Sequence, residues 1–414
     1  MQTYLSVLIR PIIAFVSFLL LLTQPISYAG QGRPAETQPL AIITVEAGQH
    51  TRIDTPVSMS LAAIPDAVTS SIQLMEIEGS EKVAVDSQVE PGSPPKLWWI
   101  LDGTTTAGSK RIYELVRGRE RRRISRIEAL KDDKVLLLQR GGHKVLQYNH
   151  AIVPAPKGQS ELYNRSGFIH PLWSPTGDIL TNIHPPDHIH HLGIWMPWTK
   201  TKFEGKEVDF WNLGKGEGTV RFVKFLSTTS GPVYGGFQAE HEHVALKTAE
   251  GEKVVLREVW DVRVYNVGGP EKGYWLIDFK STQRCVADSP LYQIQYRYGG
   301  FGFRGAAEWE GENAAYLTSE GRTRKDGHAT RARWCDTSGA IAGNWAGVTH
   351  MSHPKNFRHP EPMRIWPEFE KQVFFNWAPS QAGDWVMEPG EDHVFRYRLY
   401  VHEGKVNVDD LERI

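Results

Sequence analysis

Read along the chain, polar and apolar residues alternate over long spans. TVRFVKFLST, YGGFQAEHEHVAL, KVVLREVWDVRVYNV, YWLIDFKSTQRCV, YQIQYRYGGFGFRG, KQVFFNWAP and HVFRYRLYVHEG all alternate polar with apolar or aromatic side chains. A strand turns successive side chains to opposite faces, so a period of two predicts half-buried strands. The helical period of 3.6 is nowhere sustained beyond about ten residues, so helices should be few and short. Upstream, AIITVEAGQHTR, VSMSL, SIQLMEI, KLWWILD and KRIYELV are shorter runs of the same kind. Turn-forming clusters such as Glu90-Pro91-Gly92-Ser93-Pro94-Pro95 and Asp102-Gly103 separate them.

The pattern predicts an all-β chain in two bodies. Residues 40–116 should form a small antiparallel β-sandwich, and residues 143–414 two large stacked antiparallel sheets that bury the alternating aromatics. Residues 117–142 carry the connecting segment and the first hairpin of the larger body, turned at Gly141-Gly142. No internal repeat or low-complexity tract interrupts this order.

Composition strengthens the β reading: 14 Trp, 14 Tyr and 16 Phe stand with 38 Gly and 25 Pro, which favours strands joined by tight turns. A formal net charge of −1 supplies no global field for nucleic acid or an anionic membrane. The basic run Arg117-Gly118-Arg119-Glu120-Arg121-Arg122-Arg123 reads as a solvated face between the two bodies, so nucleic acid is not expected as a partner. Residues 1–29 read as a signal peptide: Arg10, an apolar run from Ile12 to Leu22, and a small-x-small site at Ser27-Tyr28-Ala29. That run of about 11 residues is shorter than the roughly 20 a spanning helix needs. The expectation is therefore export to the periplasm or the extracellular space, a linker at residues 30–39, and no stable membrane insertion after cleavage. Cys285 and Cys335 leave a disulfide and two separate buried thiols equally open.

Candidate chemistry concentrates between Phe168 and Trp211. His184, His188, His190 and His191 fall within eight residues, beside Asp187, with tryptophans following. Imidazole exchanges protons near neutrality and ligates transition metals, and aromatic faces suit the C–H faces of a sugar. On a straight strand His188 and His190 would share one face and His191 the other; Pro185-Pro186 makes a bend the expectation. One arrangement has an imidazole acting as general acid or base. A second has His188 and His190 holding a divalent transition metal with a distant ligand. The third is structural, with histidines capping turns. A second polar patch, HMSHPKNFRH at His350–His359, should lie on a loop. GKGEGT lacks the ending of a phosphate loop, and no G-x-S-x-G elbow occurs.

HPLWSPTGDILTNIHPPDHIHHLGIW, DFWNLGKGEGTV, YRYGGFGFRG, HPKNFRHPEP and EPGEDHVFRYRLYVHEG resemble a bacterial PmoA-like ("methane oxygenase") family of otherwise unknown function, over roughly residues 143–414. More remotely the chain is similar to the galactose-mutarotase-like β-supersandwich group, shared by sugar epimerases, polysaccharide lyases and some glycosidase domains. That resemblance implies a supersandwich for the larger body and a carbohydrate or other small-molecule substrate. The leading expectation is an exported carbohydrate-active enzyme of epimerase, lyase or hydrolase type. His188 and His191 would be its acid–base pair, Arg304 its positive charge, and Glu361 or Glu368 the complementary carboxylate. His170, Trp195, Trp211, Asn356, Arg358 and His359 would bind substrate. A metal-dependent hydrolase or oxidase and a non-catalytic sugar-binding or scaffold protein are the alternatives.

Overall fold

The computed structural model of the chain describes residues 6–10, 38–64, 67, 71–118 and 125–414. Most of the expected signal peptide, including Ile12–Leu22 and Ser27-Tyr28-Ala29, lies outside these residues, as do residues 30–37 of the expected linker and 119–124 of the basic segment. The backbone is nearly all antiparallel β, arranged in stacked open sheets. No helix among the described residues is long and apolar enough to cross a membrane.

Two compact units emerge, one of residues up to Ile124 with Asp409–Ile414, the other Ser125–Val408. In the first, a five-stranded sheet runs in the order Ser6–Arg10, Ala41–Glu46, Lys110–Arg117, Ile72–Glu78, Glu81–Val85. A three-stranded sheet of Arg52–Ser60, Lys96–Thr105 and Ser87–Glu90 accompanies it. Strict alternation in Ala41–Glu46 sends Ala41, Ile43 and Val45 into a core with Leu74, Leu97, Trp99, Leu101, Tyr113 and Leu115. The sequence pattern in this region is thus a direct readout of which face is buried.

Beside a four-stranded sheet in the order Lys206–Val208, Thr201–Phe203, Leu291–Gln293, Trp385–Met387, the second unit is built from two eight-stranded sheets. One runs Met363–Ile365, Phe374–Trp377, Gly302–Arg304, Ile194–Trp195, Phe168–Leu172, His143–Asn149, Val135–Arg140, Ile127–Lys131. The other runs Gly218–Thr229, Tyr234–Thr248, Gly251–Tyr265, Tyr274–Cys285, Asp392–Glu403, Asn344–Ser352, Trp334–Ile341, Ala314–Thr318. They share one core, and aromatics cross it: Tyr148 meets Phe237 at 4.5 Å between ring centres, Phe301 meets Tyr397 at 4.8 Å and Phe279 at 5.2 Å. Cys285 and Cys335 are both buried and both free, which decides the open question in favour of separate thiols.

The period of two places the site as well. In the first sheet Ile169, Ile194, Phe303 and Phe375 point into the shared core. Their chain neighbours Phe168, Trp195 and Phe374 belong to a separate apolar cluster with Leu192, Trp211 and Trp366. Because adjacent residues on a strand face opposite ways, this second cluster lies on the outer face of the sheet, and Arg304, next to Phe303, comes with it.

Candidate functional site

The histidine-rich segment crosses that outer face as two successive turns. His188 N donates to the Pro185 carbonyl at 3.0 Å and His191 N to the His188 carbonyl at 2.9 Å. The ends are held together by His184 N donating to the His191 carbonyl at 2.9 Å and by the bridge between Ile183 and Leu192. Pro185-Pro186 starts the first turn, and His184 takes a positive φ of 48° to enter it. Gly193, at φ 66°, lets the chain leave close against the sheet, where a side chain would collide with the Ile169 carbonyl oxygen. The bend resolves the geometric conflict in the sequence, because His188, His190 and His191 no longer alternate faces.

The three rings gather. His188 stacks on His191 with centres 4.8 Å apart, His190 meets His191 edge-on at 4.8 Å, and His188 and His190 are 5.6 Å apart. His191 is the inner member, 1% exposed, boxed by Phe374 and Trp195, each at 5.0 Å, and by Trp366 at 5.6 Å. Trp195 and Trp211, expected as sugar platforms, are buried beneath it at 1% and 3% exposure and face no solvent. They make the floor of the site. His184 turns aside, its Nδ1 donating to the Ile189 carbonyl at 2.7 Å.

A charged relay fixes the outer ring. His188 Nδ1 donates to Asp187 Oδ2 at 3.0 Å, and Arg304 Nη2 donates to both Asp187 oxygens at 2.9 Å. Arg304 Nη1 also reaches His191 Nδ1 at 3.4 Å; since guanidinium can only donate, that nitrogen accepts. The Arg304 side chain is fully buried, held over Trp366 at 5.0 Å, while Asp187 and His188 remain about a third exposed. With Nδ1 committed to the carboxylate, His188 turns its Nε2 outward. Among the described residues, no hydrogen bond engages either ring nitrogen of the neighbouring His190.

Electrostatics separates the members. Burial opposes a charged Asp187, yet the hydrogen bond from His188 and the charge of Arg304 outweigh it and hold the carboxyl below its ordinary range. Burial and the charge of His188 push His190 down to about 4, against the pull of Asp209. Burial, then His190 and Arg304, hold His191 well below the usual imidazole value. His190 and His191 are therefore neutral at pH 7. Asp209 itself is tied to Lys215 at 2.9 Å and to the Trp211 and Asn212 amides, so it anchors the segment after Trp198.

Other expected residues lie elsewhere. His170 occupies the outer face of the same sheet, but its Nδ1 is bonded to Thr181 Oγ1 at 2.9 Å, and burial with the neighbouring His184 pushes it to about 4. The His350–His359 patch is not a loop opening on the imidazoles. His350 is sealed in the shared core, stacked on Phe375 at 4.7 Å. Asn356, Ser352, His359, Tyr397 and Glu361 form a closed network of their own, with Glu361 fully buried. Arg358 spends its guanidinium on the Pro379, Gly383 and Asp384 carbonyls. Glu368 sits exposed on the turn Glu368–Glu370; the carboxylate that acts most on Arg304 is Asp187, and of that turn it is Glu370 that adds a smaller contribution. The pairing of the imidazoles with Glu361, Asn356, Arg358 or His359 is thus corrected: Glu361, Asn356 and His359 are engaged with one another through Ser352, and Arg358 with main-chain carbonyls. Among the described residues, no three His, Cys, Asp or Glu side chains are placed to hold a metal ion, so His188 and His190 lack a third ligand. Asp187 and Trp366 were the residues missed; Asp187 was legible as the direct neighbour of His188, whereas Trp366 arrives from a distant strand end.

A family of unknown function, DUF6807, matches residues 136–414, the stretch that contains every part of this site. The chain belongs to the DUF6807 family. No methane-oxygenase assignment accompanies that match. No curated protein matches the chain. Among solved structures, a protein in glycosyl hydrolase family 38 from Enterococcus faecalis is similar to it at 9% identity and a TM-score of 0.42. The alignment covers 92% of this chain and 47% of that one, so this DUF6807 chain spans about half the neighbour's length.

Proposed function

We propose that this DUF6807 protein is a carbohydrate-active enzyme whose outer-face imidazoles perform acid–base chemistry on a sugar. The observation that carries the reading is the pair His188 and His190: two reachable rings 5.6 Å apart, one oriented by Asp187 and Arg304, the other neutral with both nitrogens unbonded among the described residues. A neutral imidazole accepts a proton from a hydroxyl or from a carbon next to a carboxylate, while its carboxylate-backed neighbour returns one to oxygen on the other side. Asp187 keeps the His188 tautomer that points Nε2 at the substrate and stabilises the ring when it is charged, and Arg304 positions Asp187. His190 thereby takes the place that sequence reading gave to His191.

The resemblance to the galactose-mutarotase-like supersandwich supports a sugar as substrate, and the reading carries with it export and removal of residues 1–29. Cleavage would also remove Ser6–Arg10, leaving Ala41–Glu46 at a sheet edge. The test is a panel of neutral sugars, uronates and their oligomers, followed for anomer or epimer exchange, new reducing ends and ultraviolet absorbance of an unsaturated product. Turnover that His188→Asn and His190→Gln both abolish supports the assignment; turnover indifferent to both substitutions defeats it. N-terminal sequencing of the protein from the culture or periplasm tests the cleavage site.

A further inference from the structure

Next to the imidazoles lies a group of charges that the acid–base pair does not use. Arg364 is on Met363–Ile365, the edge strand of the same sheet, and is 4% exposed. Its Nη2 donates to Tyr298 Oη at 3.2 Å, and its guanidinium lies 5.1 Å from the centre of that ring. Nη1 reaches only the Ile365 carbonyl at 3.4 Å, and the buried Nε has no partner. Arg297, exposed at the residue before Tyr298, holds its guanidinium 5.4 Å from the same ring. Neither arginine pairs with a carboxylate among the described residues. His328 feels both, since Arg364 and Arg297 add to burial in disfavouring its charged form.

Trp366 joins this group to the acid–base pair. Its Nε1 donates to Tyr298 Oη at 3.1 Å, and its ring centre is 4.7 Å from that of His188. Tyr298 Oη therefore accepts from both Arg364 and Trp366, which leaves its own proton to donate elsewhere. A buried guanidinium without a counter-charge is costly, and here two cations converge on one tyrosine in a chain of net charge −1. An anion supplied by a ligand would complete the arrangement, because a guanidinium grips a carboxylate or sulfate through paired N–H donors.

We propose that Arg364, Arg297 and the Tyr298 hydroxyl form a subsite for an anionic substituent of the sugar, a carboxylate or a sulfate ester, while His188 and His190 face its ring. The subsite rests on the acid–base reading and narrows it to acidic sugars. In a lyase or epimerase acting on a uronate, neutralising the carboxylate eases removal of the adjacent proton, which His190 would take.

The test uses the full chain, titrated at low and at high salt with methyl glucuronide, methyl galacturonide, their neutral methyl glycosides and glucose 6-sulfate. Tryptophan fluorescence and calorimetry read binding. The acidic sugars are expected to bind about tenfold more tightly than the neutral ones, with the advantage shrinking in high salt. Arg297→Gln, at an exposed position that folding tolerates, and Arg364→Lys, which keeps the charge but loses the fork, should each erase most of that advantage and leave neutral sugars unaffected. His188→Asn should keep the preference while losing turnover. The better ligand of uronate and sulfate names the anion. Equal binding of acidic and neutral sugars, or a preference that survives both arginine substitutions, overturns the subsite and leaves the acid–base reading in place. Absence of binding by every sugar in the panel overturns both.

Discussion

The chain carries two His-x-His pairs with opposite fates. His188 and His190 sit on a double turn over the outer face of one sheet, whereas His241 and His243 sit on the straight strand Tyr234–Thr248 of the other. Period two sends His241 and His243 to the same side, into the space between the sheets, where both are fully buried. There Tyr148 Oη bonds His241 Nε2 at 2.6 Å, and His243 Nε2 bonds Glu258 Oε2 at 2.8 Å. Ser281 and Gln283 donate to the other Glu258 oxygen, and Trp198 Nε1 donates to Gln283 at 2.6 Å. This interior group ties the two sheets together and has no opening to a ligand. The outer pair has one ring backed by a carboxylate and another left unbonded. Identical spacing thus yields a structural tie or a pair open to a ligand, and what separates them is whether solvent can reach the nitrogens.

The widest separation between the pairs is expected in turnover. His188→Asn should lower kcat by about 10²- to 10⁴-fold, the usual share of one acid–base group, with the melting temperature nearly unchanged. A kcat within twofold of the parent would remove the outer pair from the reaction. Glu258→Ala should do the reverse, because it strands His243, Ser281 and Gln283 in the core. A loss of about 3–5 kcal/mol in denaturant unfolding is expected, with the activity per folded molecule kept. Asp187→Asn probes the link between charge and orientation. It should cost about 10- to 100-fold in kcat and shift the pH profile, since His188 loses its charged partner but not its packing.

Acid sharpens the comparison further. His241 is held at about 3 by burial, and so is His350, whereas an unfolded histidine titrates near 6.5. Between pH 6.5 and about 3 the unfolded chain therefore binds protons that these folded rings refuse, so stability falls as pH drops through that window. Glu258, kept at about 2 against its burial chiefly by the hydrogen bond and charge of His243, adds a second loss below pH 4.5. His402 has the opposite sign. Burial works against its charge, but the Asp336 carboxylate outweighs it and raises the pKa, so its contribution is present below pH 6.5 and disappears at higher pH. The smallest expected effect is that of His350→Phe, which replaces a ring stacked on Phe375 with one that cannot titrate. The acid limb of stability between pH 6.5 and 4 should flatten in unfolding curves taken at several pH values; an unchanged slope would remove His350 from the balance.

Alternation alone determined the all-β class, most strands with their buried faces, and the hairpin at Gly141-Gly142, because pleat geometry makes every second side chain answer to one core; YQIQYRYGGFGFRG instead divides into Leu291–Gln293 and Gly302–Arg304, in different sheets. Crowding in DHIHH marked the site, and Asp187 was readable beside His188. The sequence could not place Glu361 among Ser352, Asn356 and Tyr397, nor Arg358 on the carbonyls of Pro379, Gly383 and Asp384. Tertiary structure decided those questions. The pairing of Gly302–Arg304 with Ile194–Trp195 puts Arg304 under the double turn, and the return of the chain at Trp366 sets an indole against His188. These contacts join residues more than a hundred positions apart, and a long-range pairing leaves no local period in the sequence to announce it.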